Sequence, residues 1–167
     1  PHPEAGNSQS QLATGLPQVA RRGVTPFSWA TETGVGTDEK MALLRRHFRR
    51  RALEQGAADL RGMDSIFSFL WHWYALASRS IASAFAITSI DEGNAWDALM
   101  RRFEGNLPFA ILGLGRLGLG EFDLASDADL IFVVSPEINH EDLFGCARLA
   151  EHMIDTLASY TRDGMVF

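Results

Sequence analysis

Ser126-Asp127-Ala128-Asp129 places two carboxylates two positions apart, directly before the apolar run Leu130-Ile131-Phe132-Val133-Val134. That run is short, rich in β-branched and aromatic residues, and reads as a buried strand beginning at Asp129. Residues two apart in a strand face the same side, so Asp127 and Asp129 are expected to present both carboxylates to one face. Two carboxylates that close repel each other unless a cation lies between them. Magnesium relieves such repulsion and usually takes one or two carboxylates together with substrate phosphates. The plainer alternative is a turn, since Ser and Asp are common before strands.

A glycine-rich stretch lies just upstream. Gly113-Leu114-Gly115-Arg116-Leu117-Gly118 matches the dinucleotide-binding fingerprint and follows the short apolar run Phe109-Ala110-Ile111-Leu112, a second expected strand. In that fold the glycines let a helix N-terminus approach a pyrophosphate. Two features oppose an NAD(P)-binding Rossmann-like domain. No acidic residue closes the second strand near Val133 and Val134 to hold a ribose, and the stretch between Gly118 and Leu130 is short for a crossover helix.

Helices must position these strands. Thr37 is an expected N-cap, followed by Asp38 and Glu39 in the first turn. Met41, Leu44, Phe48 and Ala52 then recur at helical spacing as a buried stripe. Arg45, Arg46, Arg49, Arg50 and Arg51 form a basic cluster assigned to the opposite, solvated face, with a phosphate or partner-protein contact as the sharper alternative. A second helix is expected over residues 64–86, with Phe67, Leu70, Trp71, Tyr74, Leu76, Ile81 and Phe85 leaving little polar surface. Core packing explains Trp71-His72-Trp73-Tyr74 better than base stacking does, with His72 a core histidine. A turn at residues 91–94 precedes a shorter helix over residues 95–103. Residues 141–160 form a last helix with Leu143, Ala147, Ala150, Ile154 and Leu157 on one face. After a turn at Asp163-Gly164, Met165-Val166-Phe167 begins another strand. Residues 1–36, rich in Gly, Ser, Gln, Thr and Pro, read as a linker or arm from which Phe27 and Trp29 can still dock. The expected organisation is α+β: an arm over 1–36, a helical region over 37–106, and a sheet domain over 107–167 that is cut short at its C-terminal end.

The chain of 167 residues is 46% hydrophobic and 22% charged, the composition of a globular protein. Its net charge of −6 gives no general polyanion-binding surface, so no nucleic-acid partner is expected. Cys146 is the only cysteine, which excludes an intramolecular disulfide and favours a reducing compartment; on a helix it reads as a small buried hydrophobe. The N-terminal residues lack the apolar core of a signal peptide, and no apolar run reaches membrane-spanning length. A soluble, cytoplasmic protein without a membrane partner is the expectation.

Residues 109–134, F-A-I-L-G-L-G-R-L-G-L-G-E-F-D-L-A-S-D-A-D-L-I-F-V-V, resemble the nucleotidyltransferase motif of bacterial glutamine synthetase adenylyltransferases, the bifunctional adenylyltransferase/adenylyl-removing enzymes. Gly113, Gly115, Arg116, Leu117, Gly118, Glu121, Ser126, Asp127 and Asp129 carry the match, which extends over about residues 40–167 and leaves 1–36 outside. The resemblance implies a polymerase-beta-like nucleotidyltransferase domain in its first half. It implies that Asp127 and Asp129 bind Mg²⁺ or Mn²⁺, the two metals holding ATP for in-line displacement. Ser126 and the backbone from Gly118 to Gly120 would hold phosphate oxygens, and Arg116 would neutralise charge or lie on the surface. Glu121 matches the motif and is expected to fix the loop. The implied reaction is AMP transfer from ATP to a tyrosine of glutamine synthetase, or phosphorolytic removal of that AMP, with a PII-type signalling protein as second partner. The ending Asp163-Gly164-Met165-Val166-Phe167 is more similar to the adenylyl-removing half. Two departures stand out. Leu119 occupies a position usually held by glycine, where its Cβ is expected to hinder a positive φ unless Gly120 takes over. The family's third carboxylate falls past Phe167, so this stretch alone is expected to be inactive. A non-catalytic interaction module using the helices and arginines remains the third reading.

Overall fold

The computed structural model describes residues 24–62, 66–103, 108–123 and 126–167. The fold is α+β and mostly helical. A short 3-10 turn (Ser28–Thr31) precedes α1 (Thr37–Leu60) and α2 (Ile66–Arg102); then come β1 (Phe109–Gly113), α3 (Gly115–Leu119), β2 (Leu130–Val134) and α4 (His140–Ala158). The expected residue 64 and the Gly, Ser and Gln-rich stretch up to residue 23 lie outside the described residues.

β1 and β2 pair antiparallel, Phe109 opposite Val134 and Gly113 opposite Leu130. This overturns the dinucleotide-binding reading. A crossover βαβ unit needs parallel strands, and the five-residue α3 is too short to make one. One face of this two-stranded sheet turns Phe109, Ile111, Phe132 and Val134 toward α2 and α4. There the rings of Phe85, Phe109 and Phe132 stack in series, with centroids 5.8 and 5.6 Å apart. The other face leaves Leu112, Ile131 and Val133 exposed.

α2 carries Ser80, Ser83, Thr88 and Ser89 through the core. Each hydroxyl donates to the carbonyl four residues back, so burial leaves none unsatisfied. The helix breaks at Gly93, whose φ of 47° and ψ of −118° are not helical. The expected four-residue turn is thus a kink centred on one glycine. Trp73 is 2% exposed, but Trp71 is 61% exposed and His72 is also exposed, which corrects the core assignment of His72. Successive helical residues are about 100° apart, so four consecutive rings cannot all face one core.

Several helix details differ from expectation. Gly36, not Thr37, is the N-cap of α1, and no side chain caps it. Arg45 does not join the solvated face: it is buried, and its guanidinium donates to the Thr156 carbonyl at 3.0 Å in the last turn of α4. That carbonyl has no helical donor, so Arg45 acts as a C-terminal cap supplied from another helix. Arg46 pairs with Asp163, and Arg50 and Arg51 with Glu54. Asn139 caps α4 by accepting from the Asp142 N–H at 2.9 Å. The buried face of α4 is Cys146, Leu149, Met153 and Leu157, whereas Leu143, Ala147 and Ile154 are exposed. Apolar residues lie on both stripes, and contact with α2 selects one of them. Burial, and then Asp142, push the Cys146 thiol up from its ordinary range, consistent with a packing role.

Met165, Val166 and Phe167 form no strand. The backbone amides of Val166 and Phe167 donate to the Leu157 carbonyl at 3.0 and 3.2 Å, closing the end of α4. Thr161 and Gly164 bridge across the expected turn.

Phe27 and Ala30 lie in the core, so part of the stretch read as an arm is docked. The Phe27 N–H donates to Ser83 Oγ at 2.9 Å, and its ring stacks on Trp29 with centroids 5.5 Å apart. Phe27→Ala is expected to lower stability by about 3 kcal/mol or more, measured by urea unfolding; a loss under about 1 kcal/mol would show that the segment does not depend on this anchor.

Candidate metal and phosphate site

The glycine stretch of the sequence builds a tight corner between β1 and α3. The Leu114 N–H donates to the Asp129 carbonyl at 2.8 Å, extending the β1–β2 pairing to the first turn of α3. Gly118 comes back against β1: a Cβ there would stand 2.5 Å from the Gly113 carbonyl oxygen. That neighbour is backbone, which has little room to yield. Gly115 has φ +53° and lies beneath the Asp129 carboxylate; an added Cβ would come 2.9 Å from Asp129 Oδ2. These glycines bring chain segments together, as the motif led one to expect, but around a short helix and an antiparallel strand.

α3 ends at Leu119, and Gly120 takes the left-handed conformation with φ 74°. The Gly120 and Glu121 amides close the turn on the Leu117 and Arg116 carbonyls at 3.2 and 2.8 Å. Leu119 is 74% exposed and is still helical. The leucine therefore does not occupy the positive-φ position; Gly120 does. Glu121 is exposed, and only its backbone amide joins this turn.

Asp127 and Asp129 precede β2, which starts one residue later than expected. Exposure alternates from Asp127 through Val133, with Asp127, Asp129, Ile131 and Val133 exposed and the residues between them partly buried. Neither carboxylate has a hydrogen-bond or ion-pair partner among the described residues. Two exposed, unpartnered carboxylates suit a hard cation and its remaining water or phosphate ligands. No cluster of three or more His, Cys, Asp or Glu side chains is present among the described residues.

Ser126 and Arg116 are brought together by Asp123, which sequence reasoning did not single out. Arg116 pairs with Asp123 Oδ2 at 2.7 Å and approaches Ser126 Oγ at 3.3 Å. Ser126 Oγ donates to Asp123 Oδ1 at 2.8 Å and accepts from the Asp123 N–H at 3.1 Å. Asp123-x-x-Ser126 is a local side-chain turn, and this spacing was the available signal. The arrangement holds the loop that carries Asp127, and Arg116, an exposed side chain, pairs with Asp123 through one terminal nitrogen. A cleft of about 620 Å³ adjoins the loop, with Asp123, Ser126 and Asp127 on its polar side and Phe48, Phe122 and Phe167 on its apolar side. Arg49 lines it too, the one member of the arginine cluster that does.

The family model for glutamate-ammonia ligase adenylyltransferase matches residues 10–167. The chain belongs to this family. The match reaches well into the N-terminal segment that the motif comparison left outside. A bifunctional glutamine synthetase adenylyltransferase/adenylyl-removing enzyme of Nitrosococcus oceani is 30% identical over 147 residues, covering 81% of this chain and 15% of the relative. The enzyme of the same description from Neisseria meningitidis serogroup A is 28% identical over 135 residues, covering 80% of this chain and 14% of the relative. That from Mycobacterium leprae is 34% identical over 119 residues, covering 67% and 11%. The chain thus spans about one-seventh of the length of the first relatives it matches. No solved structure matches it.

The corner makes opposite demands at adjacent positions. Gly118→Ala is expected to cost about 1–3 kcal/mol through overpacking against the Gly113 carbonyl. Leu119→Gly is expected to stay within about 1 kcal/mol, the helix-propensity cost of glycine at an exposed site. Thermal unfolding of both variants checks the pair; equal losses would refute this account of the corner.

Proposed function

We propose that this chain contributes the metal and nucleotide site of an adenylyl-transferring enzyme acting on glutamine synthetase. The observation that carries the reading is the pair of exposed, unpartnered carboxylates, Asp127 and Asp129, beside the Gly113–Gly118 corner. Asp127 and Asp129 would hold Mg²⁺ or Mn²⁺. The ion supplies charge neutralisation for a bound triphosphate and orients it for displacement. Gly118 closes the corner against the Gly113 carbonyl, and Gly120, where an added Cβ would meet nothing within 4 Å, leaves the turn open to phosphate oxygens. Ser126, held by Asp123, sets the path of the loop into Asp127; its hydroxyl adds a phosphate contact when it leaves that partner.

The substrate of the reaction is ATP together with a tyrosine of glutamine synthetase, or the adenylylated tyrosine and phosphate in the reverse sense. Glutamine synthetase is named in the descriptions of the relatives. A PII-type signalling protein is the regulatory partner the family resemblance implies. No helix among the described residues is long and apolar enough to cross a membrane; action in the cytoplasm follows from the proposed substrate.

Titration of this chain with ATP in the presence of Mn²⁺, followed by calorimetry, tests the site. Asp127→Asn and Asp129→Asn are each expected to weaken metal-dependent ATP binding by roughly tenfold or more, since even outer partners of metal ligands carry effects of that size. ATP binding that is unchanged by both substitutions, or by removal of the metal, would overturn the reading.

A further inference from the structure

α1 and α2 enclose a second cleft, of about 230 Å³, whose lining includes Phe27, His47, Arg51, Glu54, His72 and Arg79. It shares no lining residue with the cleft beside Asp127. Phe27 organises it. The Arg79 guanidinium carbon lies 4.4 Å from the centre of the Phe27 ring. The His47 ring meets the same phenyl group with centroids 4.3 Å apart. Stacking on an aromatic face holds a guanidinium in place while leaving its N–H edges available. Arg79 has no carboxylate partner among the described residues.

Glu54 is the one carboxylate among the described residues that line the cleft, and both of its oxygens are engaged, by Arg50 and Arg51 at 2.9 Å each. Arg51 uses one terminal nitrogen there and keeps its other donors. The pair is exposed, so redirecting Arg51 costs little. The His47 imidazole is held below the usual histidine range by burial first, then by Arg51, Arg79 and Arg50, with Glu54 the weakest influence and the only opposing one. Positive charge therefore exceeds negative charge around His47. Arg51 and Arg79 come from two different helices, which converge on one space.

We propose that this cleft is a binding site for a phosphoryl dianion, held by Arg51 and Arg79 with His47 as a third donor. A phosphoryl group offers three oxygens to donors arriving from different directions and matches two guanidinium edges. A carboxylate offers two oxygens and half the charge. The anion would compensate the excess positive charge that Glu54 leaves. Ligand binding here would join the Phe27 segment to α1 and α2, since Phe27 contacts both Arg79 and His47.

Inorganic phosphate is the probe. The imidazole resonances of the labelled chain are followed during phosphate titration against chloride at matched ionic strength. The expected result is a saturable shift of the His47 signals, with the His47 pKa moving upward as phosphate binds. Arg79→Gln and Arg51→Gln are each expected to weaken this response about tenfold, the usual scale for losing a charge-assisted hydrogen bond. Arg51→Gln leaves the Phe27–Arg79 stack intact and so separates loss of binding from loss of fold. Absence of a saturable His47 response in the folded chain would overturn the proposal. So would a response in both folded variants as strong as that of the unsubstituted chain, or the same shift produced by acetate at the same concentration.

Discussion

The hydrogen bond from the Leu114 amide to the Asp129 carbonyl is the constraint on which the site depends. It continues the β1–β2 ladder beyond Gly113 and Leu130 and ties the start of the glycine corner to the residue before β2. With that contact made, the chain between has to reverse within a short span. It does so by folding α3 back against Gly113, which only a glycine at position 118 permits. The Asp129 carboxylate then lies over Gly115, where a side chain would collide with it. Backbone geometry, more than side-chain contact, puts glycine and carboxylate side by side.

Electrostatics around this corner are divided between two groups. Asp123 engages Arg116 and Ser126, and these contacts hold the loop. Asp127 and Asp129 remain exposed and unpartnered. A loop whose polar groups were all satisfied internally would have no capacity for a cation, and one with none satisfied would not hold its shape. The same separation appears on α1. Arg45 is buried as a helix cap, Arg46, Arg50 and Arg51 are ion-paired, and Arg49 lines the larger cleft. Five arginines close in sequence thus have several distinct environments, which argues against reading them as one interaction surface.

Support for the corner comes from a core built around α2. Its buried Ser and Thr hydroxyls return to carbonyls of their own helix, so it can pass between α1 and α4 without a polar penalty. Phe85 on this helix contacts both Trp96 and Phe109 and so links the helical part to the sheet. The sheet gains most of its cover on that side, while Leu112, Ile131 and Val133 remain open on the other.

The sequence by itself determined the types of the longer helices and of the two paired strands, the family, and the residues of the glycine corner, because these rest on local periodicity and on spacing within a few residues. The two strands, the helix spanning the arginine cluster, and the Ser126–Asp129 stretch could all be read this way. Tertiary structure decided which residue of a run faces inward. Trp73 is buried while Trp71 and His72 are not, and α4 buries Cys146 and Met153 in place of Leu143 and Ile154, because the choice depends on the neighbour against which a helix rests. Strand direction was likewise hidden: a glycine fingerprint reads the same whether the next strand runs parallel or antiparallel. Arg45 reaching Thr156 and Phe27 reaching Ser83 join positions 111 and 56 residues apart, and no local pattern encodes contacts over such separations.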